Sequence, residues 1–233
     1  MTTAVQLTLP IQQIDDLTLQ NFYAENNLLL LDALRRHLLQ QQQQFFYLYG
    51  ESGCGKSHLL KACCDYLFDR GGNASFIPLK QAVHFSPDVL DNLENQDLVC
   101  IDDLQRIAGQ RKWETALFDL YNRIKEQKRA ILILSADVSP RHLPVSLNDL
   151  RSRLSWGEVH KLQPLDEIQK LKALQQRARL RGLELPDEVG LFLLKRLERD
   201  TQSLFDTLQQ LDQASLQAQR KLTIPFVKHC LNL

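Results

Sequence analysis

Five short apolar runs lie in the first two thirds of the chain, each parted from the next by a longer stretch of mixed polarity. Phe45-Phe46-Tyr47-Leu48-Tyr49 stops at Gly50, and Ala74 to Leu79, Leu98 to Ile101, Ala130 to Ser135 and Val159 to Leu162 follow. Runs this short, bounded by turn-forming residues, predict buried strands. Between them, Lys56 to Phe68 and Trp113 to Glu126 carry apolar residues at helical spacing. Leu28 to Leu39 predicts an amphipathic helix ahead of the first strand, because its leucines alternate with Asp32, Arg35, Arg36 and His37. It runs out into the glutamines Gln40 to Gln44. Strand and helix in alternation predict an α/β fold, a mainly parallel five-stranded sheet with helices on both faces.

Beyond Pro164 the pattern becomes helix upon helix: Asp166 to Leu180, Pro186 to Leu197, Gln202 to Leu216 and Ile224 to Leu231. Asp166 reads as an N-cap, Gly182 as a helix stop and Pro186 as a first-turn proline. The expected organisation is a tail over residues 1–13, an α/β base over 14–163 and a small all-helical lid over 164–233.

Chemistry enters at the end of the first strand. Gly50-Glu51-Ser52-Gly53-Cys54-Gly55-Lys56-Ser57 has the G-x-x-x-x-G-K-S form of a phosphate-binding loop. Its glycines (Gly50, Gly53, Gly55) let the backbone around Cys54 turn N–H groups toward phosphate oxygens. Lys56 reaches the terminal phosphates, Ser57 can ligate Mg²⁺, and His58 closes the segment at the positive end of a helix. The third run ends in Asp102-Asp103, the form of a segment in which one carboxylate orients a metal's water shell and the next polarises an attacking water. A strand that ends in Asp because the following turn favours it has the same appearance. Ser135-Ala136-Asp137 ends the fourth run, where a parallel sheet presents ligand contacts, and it serves equally as a turn. In Asn148 to Leu154 two arginines, Arg151 and Arg153, stand two apart in a short helix and so point in different directions. One suits a surface pairing and the other an arginine that reaches toward a neighbour's nucleotide.

Charge and cysteine content narrow the setting. Lys plus Arg and Asp plus Glu both total 28, so no general field attracts nucleic acid. The five cysteines include the adjacent Cys63 and Cys64 and form neither a disulfide framework nor a metal-ligand spacing. With no basic segment near Met1 and no apolar run long enough to span a bilayer, a soluble, unprocessed, cytoplasmic protein is expected.

Taken in order, these motifs resemble the AAA+ P-loop NTPase core of the bacterial replication initiator DnaA and, more closely, its initiator-inactivating relatives, over residues 14–233. FYLYGESGCGKSHLLKA is similar to the initiator's Walker A region, LVCIDDLQ to its Walker B region, LNDLRSRLSWG to its box VII and LTIPFVKHCL to the end of its lid. The resemblance implies that Arg153 is an arginine finger acting in trans, Asp137 the sensor 1 acid, and Asp102 and Asp103 the Walker B pair, with Asp102 near Mg²⁺. It implies that Phe22 and Tyr23 border the base pocket. Gln6-Leu7-Thr8-Leu9-Pro10 looks like the short motif that docks proteins on the sliding clamp, the beta subunit of DNA polymerase III. Two departures stand out: Gln202 occupies the position of the initiator's sensor 2 arginine, and no helix-turn-helix DNA-binding domain follows the lid.

The function implied is negative regulation of replication initiation. With the DNA-loaded clamp, the protein would promote hydrolysis of ATP bound to the initiator. It would itself hold ADP, or ATP or another nucleotide, with Mg²⁺, turn over little or none of it, meet DNA only through the clamp, and have the option of forming a homo-oligomer. A helicase-loading AAA+ ATPase is the alternative that shares the loop and the arginine.

Overall fold

The computed structural model describes residues 18–40, 45–84, 86–196 and 201–231, with backbone only at 201 and 202. Two compact units result, one ending at Leu165 and the other beginning at Asp166.

The first unit is built on five parallel strands: β1 (Phe45–Tyr49), β2 (Ala74–Pro78), β3 (Leu98–Asp102), β4 (Ile131–Ala136) and β5 (Glu158–Lys161). They lie in the order β2-β3-β4-β1-β5. Every residue of β3 and β4 is buried, which is why these runs are almost wholly apolar instead of alternating. The edge strand β5 alternates half-buried and exposed positions and carries Glu158, His160 and Lys161, charges that discourage pairing with another chain.

Side-chain alternation divides the sheet's core between two faces. Phe46, Leu48, Leu98, Cys100, Ile131 and Ile133 pack with α1 (Leu28–Gln40) and α2 (Lys56–Phe68). Tyr47, Val99, Ile101, Leu132 and Leu134 pack with α3 (Arg111–Gln127) and α4 (Asn148–Leu154). The helices were legible from their periodicity: α3 buries Trp113, Leu117, Leu120, Tyr121 and Ile124 along one stripe. Burying each such large side chain contributes about 1.5–3 kcal/mol.

The second unit consists of α5 (Glu167–Leu180), α6 (Asp187–Arg196), α7 (Thr201–Ala218) and α8 (Ile224–Leu231) around Leu174, Val189, Leu193, Leu208, Leu211 and Val227. Asp166 caps α5 through a reciprocal box with Gln169. Gly182, at φ +72°, ends it: its N–H donates to the Arg179 carbonyl while that of Leu183 donates to Ala178, closing off the last carbonyls. Pro186 does not enter the first turn of α6. The helix begins at Asp187 and the Leu185 carbonyl is taken by the Gln175 side chain, so Pro186, whose carbonyl is the first to accept from the helix, from Val189 and Gly190, sits at the cap, one position earlier than expected.

Candidate nucleotide site and trans-acting arginine

Parallel pairing puts the carboxyl ends of β1, β3 and β4 on one edge of the sheet, with Tyr49 opposite Ala136. Gly50 follows β1 directly, and its N–H donates to the Ala136 carbonyl at 3.3 Å while Leu162 donates to Tyr49 at 2.7 Å. The loop is thereby anchored on both sides before it turns.

Gly55 makes the turn at φ +97° and is the residue before α2. A side chain there would be strained, and its Cβ would lie 2.9 Å from the Phe22 ring. Phe22 is buried against the loop and meets His58 edge to face, centroids 5.3 Å apart. Tyr23, next in sequence, donates its hydroxyl to the Glu25 carboxylate. Lys56, 7 % exposed, folds back over the loop and donates to the carbonyls of Gly50 (2.7 Å) and Glu51 (2.9 Å). It also lies 3.8 Å from the sulfur of Cys54, whose thiol burial pushes upward despite the ammonium beside it. Ser57 is exposed in the first turn of α2, where backbone N–H groups have no intrahelical partner. A curved backbone, a lysine held against it and a helix N-terminus together fit a polyphosphate.

Asp102, 4 % exposed, closes β3 and accepts a hydrogen bond from the Ser135 hydroxyl. That oxygen in turn accepts from the Asp103 N–H at 3.1 Å. Ser135 therefore fixes both acidic residues, and Asp103, turned to φ +65°, accepts from Gln105 at 2.9 Å. Asp137 is exposed just past β4. Its charge, after burial, pushes the Tyr47 phenol further upward, so it stands at the same sheet edge. Among the described residues no three His, Cys, Asp or Glu side chains gather to hold a metal. A divalent ion at this edge would rest on Ser57, Asp102, water and the phosphates.

Arg151 and Arg153 do diverge, as their spacing requires. Arg151 donates to the Val145 carbonyl and closes the turn before α4. Arg153 is half-exposed and lies over Trp156 at 4.0 Å, with Phe118 and Tyr121 each 5.9 Å away.

A family model described as the bacterial DnaA ATPase domain matches residues 15–161, and one described as the lid domain of Hda matches 167–231. This chain belongs to the bacterial DnaA ATPase-domain family. It is a DnaA-related AAA+ protein with an Hda-type lid. A Haemophilus influenzae protein described as uncharacterized is 54 % identical over 228 residues, covering 98 % of this chain and 99 % of that one. Domain III of the Thermotoga maritima initiator DnaA superposes with a TM-score of 0.78 at 21 % identity, over 94 % of this chain and 96 % of that one. Aquifex aeolicus DnaA bound to AMPPCP gives 0.70 at 24 % identity, over 84 % of this chain and 64 % of that one. These two likenesses establish the fold.

Set in the DnaA fold, Gly50, Gly53, Cys54, Gly55, Lys56, Ser57, His58 and Phe22 come together at one end of α2, and Asp102, Asp103 and Asp137 stand at the same sheet edge. Arg153 lies on the face built by α3 and α4. Gln6 to Pro10 and the side chain of Gln202 lie outside the described residues. Sequence reasoning missed Glu114. Fully buried, it accepts from the N–H groups of Gly109 (2.7 Å), Ser146 (2.9 Å) and Leu147 (2.8 Å) and from the Ser146 hydroxyl. It thus holds the segment that leads into α4. Its signal was present, since a Glu adjoins Trp113 and lies three residues before Leu117 on an otherwise apolar stripe.

Proposed function

We propose that this protein is a negative regulator of replication initiation. Docked on the DNA-loaded sliding clamp, it promotes hydrolysis of ATP held by the initiator DnaA, leaving inactive DnaA-ADP. The observation that carries the reading is Arg153: at the end of a short surface helix, it is paired with no carboxylate among the described residues. A guanidinium that no carboxylate neutralises on a AAA+ surface is suited to charge that develops in another subunit's nucleotide. The chain's own nucleotide is ADP with Mg²⁺. Its phosphates are held by the Gly50 to Ser57 loop, with Lys56 neutralising charge and Ser57 and Asp102 ordering the ion; Asp103 is the residue beside any attacking water. Bound Mg²⁺ supplies charge neutralisation at the phosphates. With Gln202 in place of an arginine, the lid contributes no charge from that position, which favours a resting ADP state over turnover. The test is turnover of initiator-bound ATP with and without this protein and DNA-loaded clamp. No acceleration in the complete mixture overturns the reading.

Two further results follow. Lys56→Ala is expected to lose most of the ADP-dependent rise in melting temperature, since a ligand at 100 times its Kd stabilises by about 2.7 kcal/mol and the variant removes the cation at the phosphates. An unchanged rise would remove Lys56 from the site. Leu7→Ala with Leu9→Ala is expected to abolish clamp capture while preserving the ADP response, because an extended segment binds by placing alternate side chains in apolar pockets. Capture at wild-type level by the double variant would place clamp docking elsewhere.

A further inference from the structure

Trp156 is large, apolar and 54 % exposed, an unusual position for an indole unless its face is in use. Two cations use it. The Arg153 guanidinium carbon is 4.0 Å from the ring centroid and the Lys125 ammonium nitrogen 4.3 Å. Both distances are well within the range at which a ring quadrupole attracts a cation.

The Trp156 backbone N–H donates to the Arg153 carbonyl at 3.0 Å, so ring and guanidinium spring from the two ends of one turn. Phe118 and Tyr121 of α3 also lie near the guanidinium, each ring centroid 5.9 Å from it. Tyr121 is itself stacked on Phe45 of β1, centroids 3.9 Å apart and planes 14° apart. A chain of rings therefore runs from the buried sheet to the surface and ends on the arginine. The Tyr121 hydroxyl is buried and has no hydrogen-bond partner among the described residues. Burial pushes that phenol up to about 12, with the Arg153 charge pulling the other way. The guanidinium is thus near enough for its field to be felt inside the base. A free arginine samples many rotamers, and ordering it at the moment of reaction costs conformational entropy. An arginine already laid on a ring loses less.

We propose that Trp156 is a positioning residue for Arg153: the indole, with Phe118 and Tyr121, holds the guanidinium in the orientation from which it is presented to a partner's phosphoryl group, and Lys125 adds a second positive charge on the same ring. This rests on the reading of Arg153 as a trans-acting arginine. Trp156 itself touches no reacting atom. Its contribution is expected in the turnover of the assembled complex, not in its affinity.

The experiment compares the full-length wild type with Trp156→Leu, Trp156→Phe and Arg153→Ala. Stimulated hydrolysis of initiator-bound ATP is measured as maximal rate and as half-saturating concentration. Trp156→Leu stays apolar and removes the π face, and should lower the maximal rate about 10-fold, the size of one well-placed cation–π contact, with half-saturation unchanged. Trp156→Phe should stay within about threefold of wild type, since a phenyl face still binds a cation. A Trp156→Leu rate equal to wild type, equal losses in Leu and Phe, or a loss that appears in half-saturation would each overturn the inference. In parallel, NMR of the free protein should show ring-current shifts at the Arg153 side chain, largely retained in Trp156→Phe and reduced in Trp156→Leu to what Phe118 and Tyr121 supply. Absence of the shift in wild type overturns the positioning claim even when Arg153→Ala is inactive. Full activity of Arg153→Ala overturns the parent reading and this inference with it.

Discussion

Arg153→Ala is expected to abolish stimulation of initiator-bound ATP hydrolysis while leaving the ADP-dependent melting shift of the protein itself intact. Charge builds on the phosphoryl group as its bond breaks, and a guanidinium supplied from a neighbouring subunit offsets it in a pocket shielded from water. In GTPase systems such an arginine contributes about 10³- to 10⁵-fold in rate, equivalent to about 4–7 kcal/mol of barrier. The structure gives little reason for collateral damage. Arg153 is half-buried, and its side-chain contacts in the folded protein are with the Trp156, Phe118 and Tyr121 rings, cation–π contacts worth from about 0.5 to 2 kcal/mol. Lysine should rescue poorly, because a point charge cannot reproduce a planar fork that spans two phosphate oxygens. The deciding measurement is single-turnover hydrolysis by clamp, initiator and variant together. Wild-type stimulation by Arg153→Ala would end the finger assignment.

The sequence made the sheet legible because its central strands are buried on both faces, and their apolar residues therefore run without interruption through Leu98 to Ile101 and Ile131 to Leu134. Helix ends were legible where capping chemistry is local, as at Asp166 and Gly182. Pro186 was misplaced by one position because a proline is tolerated both at the cap and in the first turn, and what separates the two is whether the preceding carbonyl joins the helix, which here bonds the Gln175 side chain instead. Strand order had no local signature, since nothing in Phe45 to Tyr49 states that β4 and β5 flank it. The turn from β1 into α2 was legible because its glycines are contiguous with both elements. Ser135 and Glu114 were not, because their roles depend on partners 32 and 33 residues away in sequence. The same holds for the rings around Arg153: Phe118 and Tyr121 come from α3 and only the fold brings them to α4.

Glu114→Ala should be among the most damaging single substitutions outside the candidate nucleotide site, lowering the stability of the base by about 3 kcal/mol, because the N–H groups of Gly109, Ser146 and Leu147, held in part-buried hydrogen bonds, lose a charged acceptor at about 1 kcal/mol or more each. In a unit of this size that corresponds to a fall of about 10 °C or more in melting temperature. Glu114→Gln, which keeps the shape and one acceptor oxygen, should cost about half as much at neutral pH. Burial alone would raise the Glu114 pKa, but the Ser146 hydroxyl and the backbone donors outweigh it and hold the carboxyl below its ordinary value. The sign of the pH dependence follows. A carboxyl that ionises more readily in the folded state stabilises fully above its unfolded pKa of about 4.3, and that contribution is lost as pH falls through the lower folded value. The stability gap between wild type and Glu114→Gln should therefore be constant from neutrality to about pH 5 and close progressively in more acidic buffer. Denaturant melts at a series of pH values would show it, and a gap that widened on acidification would mean that Glu114 is neutral in the folded protein. Since Ser146 and Leu147 lead directly into α4, the same variant should lose part of the stimulation attributed to Arg153 even where it remains folded. That loss would tie the buried carboxylate to the surface arginine through the backbone that joins them.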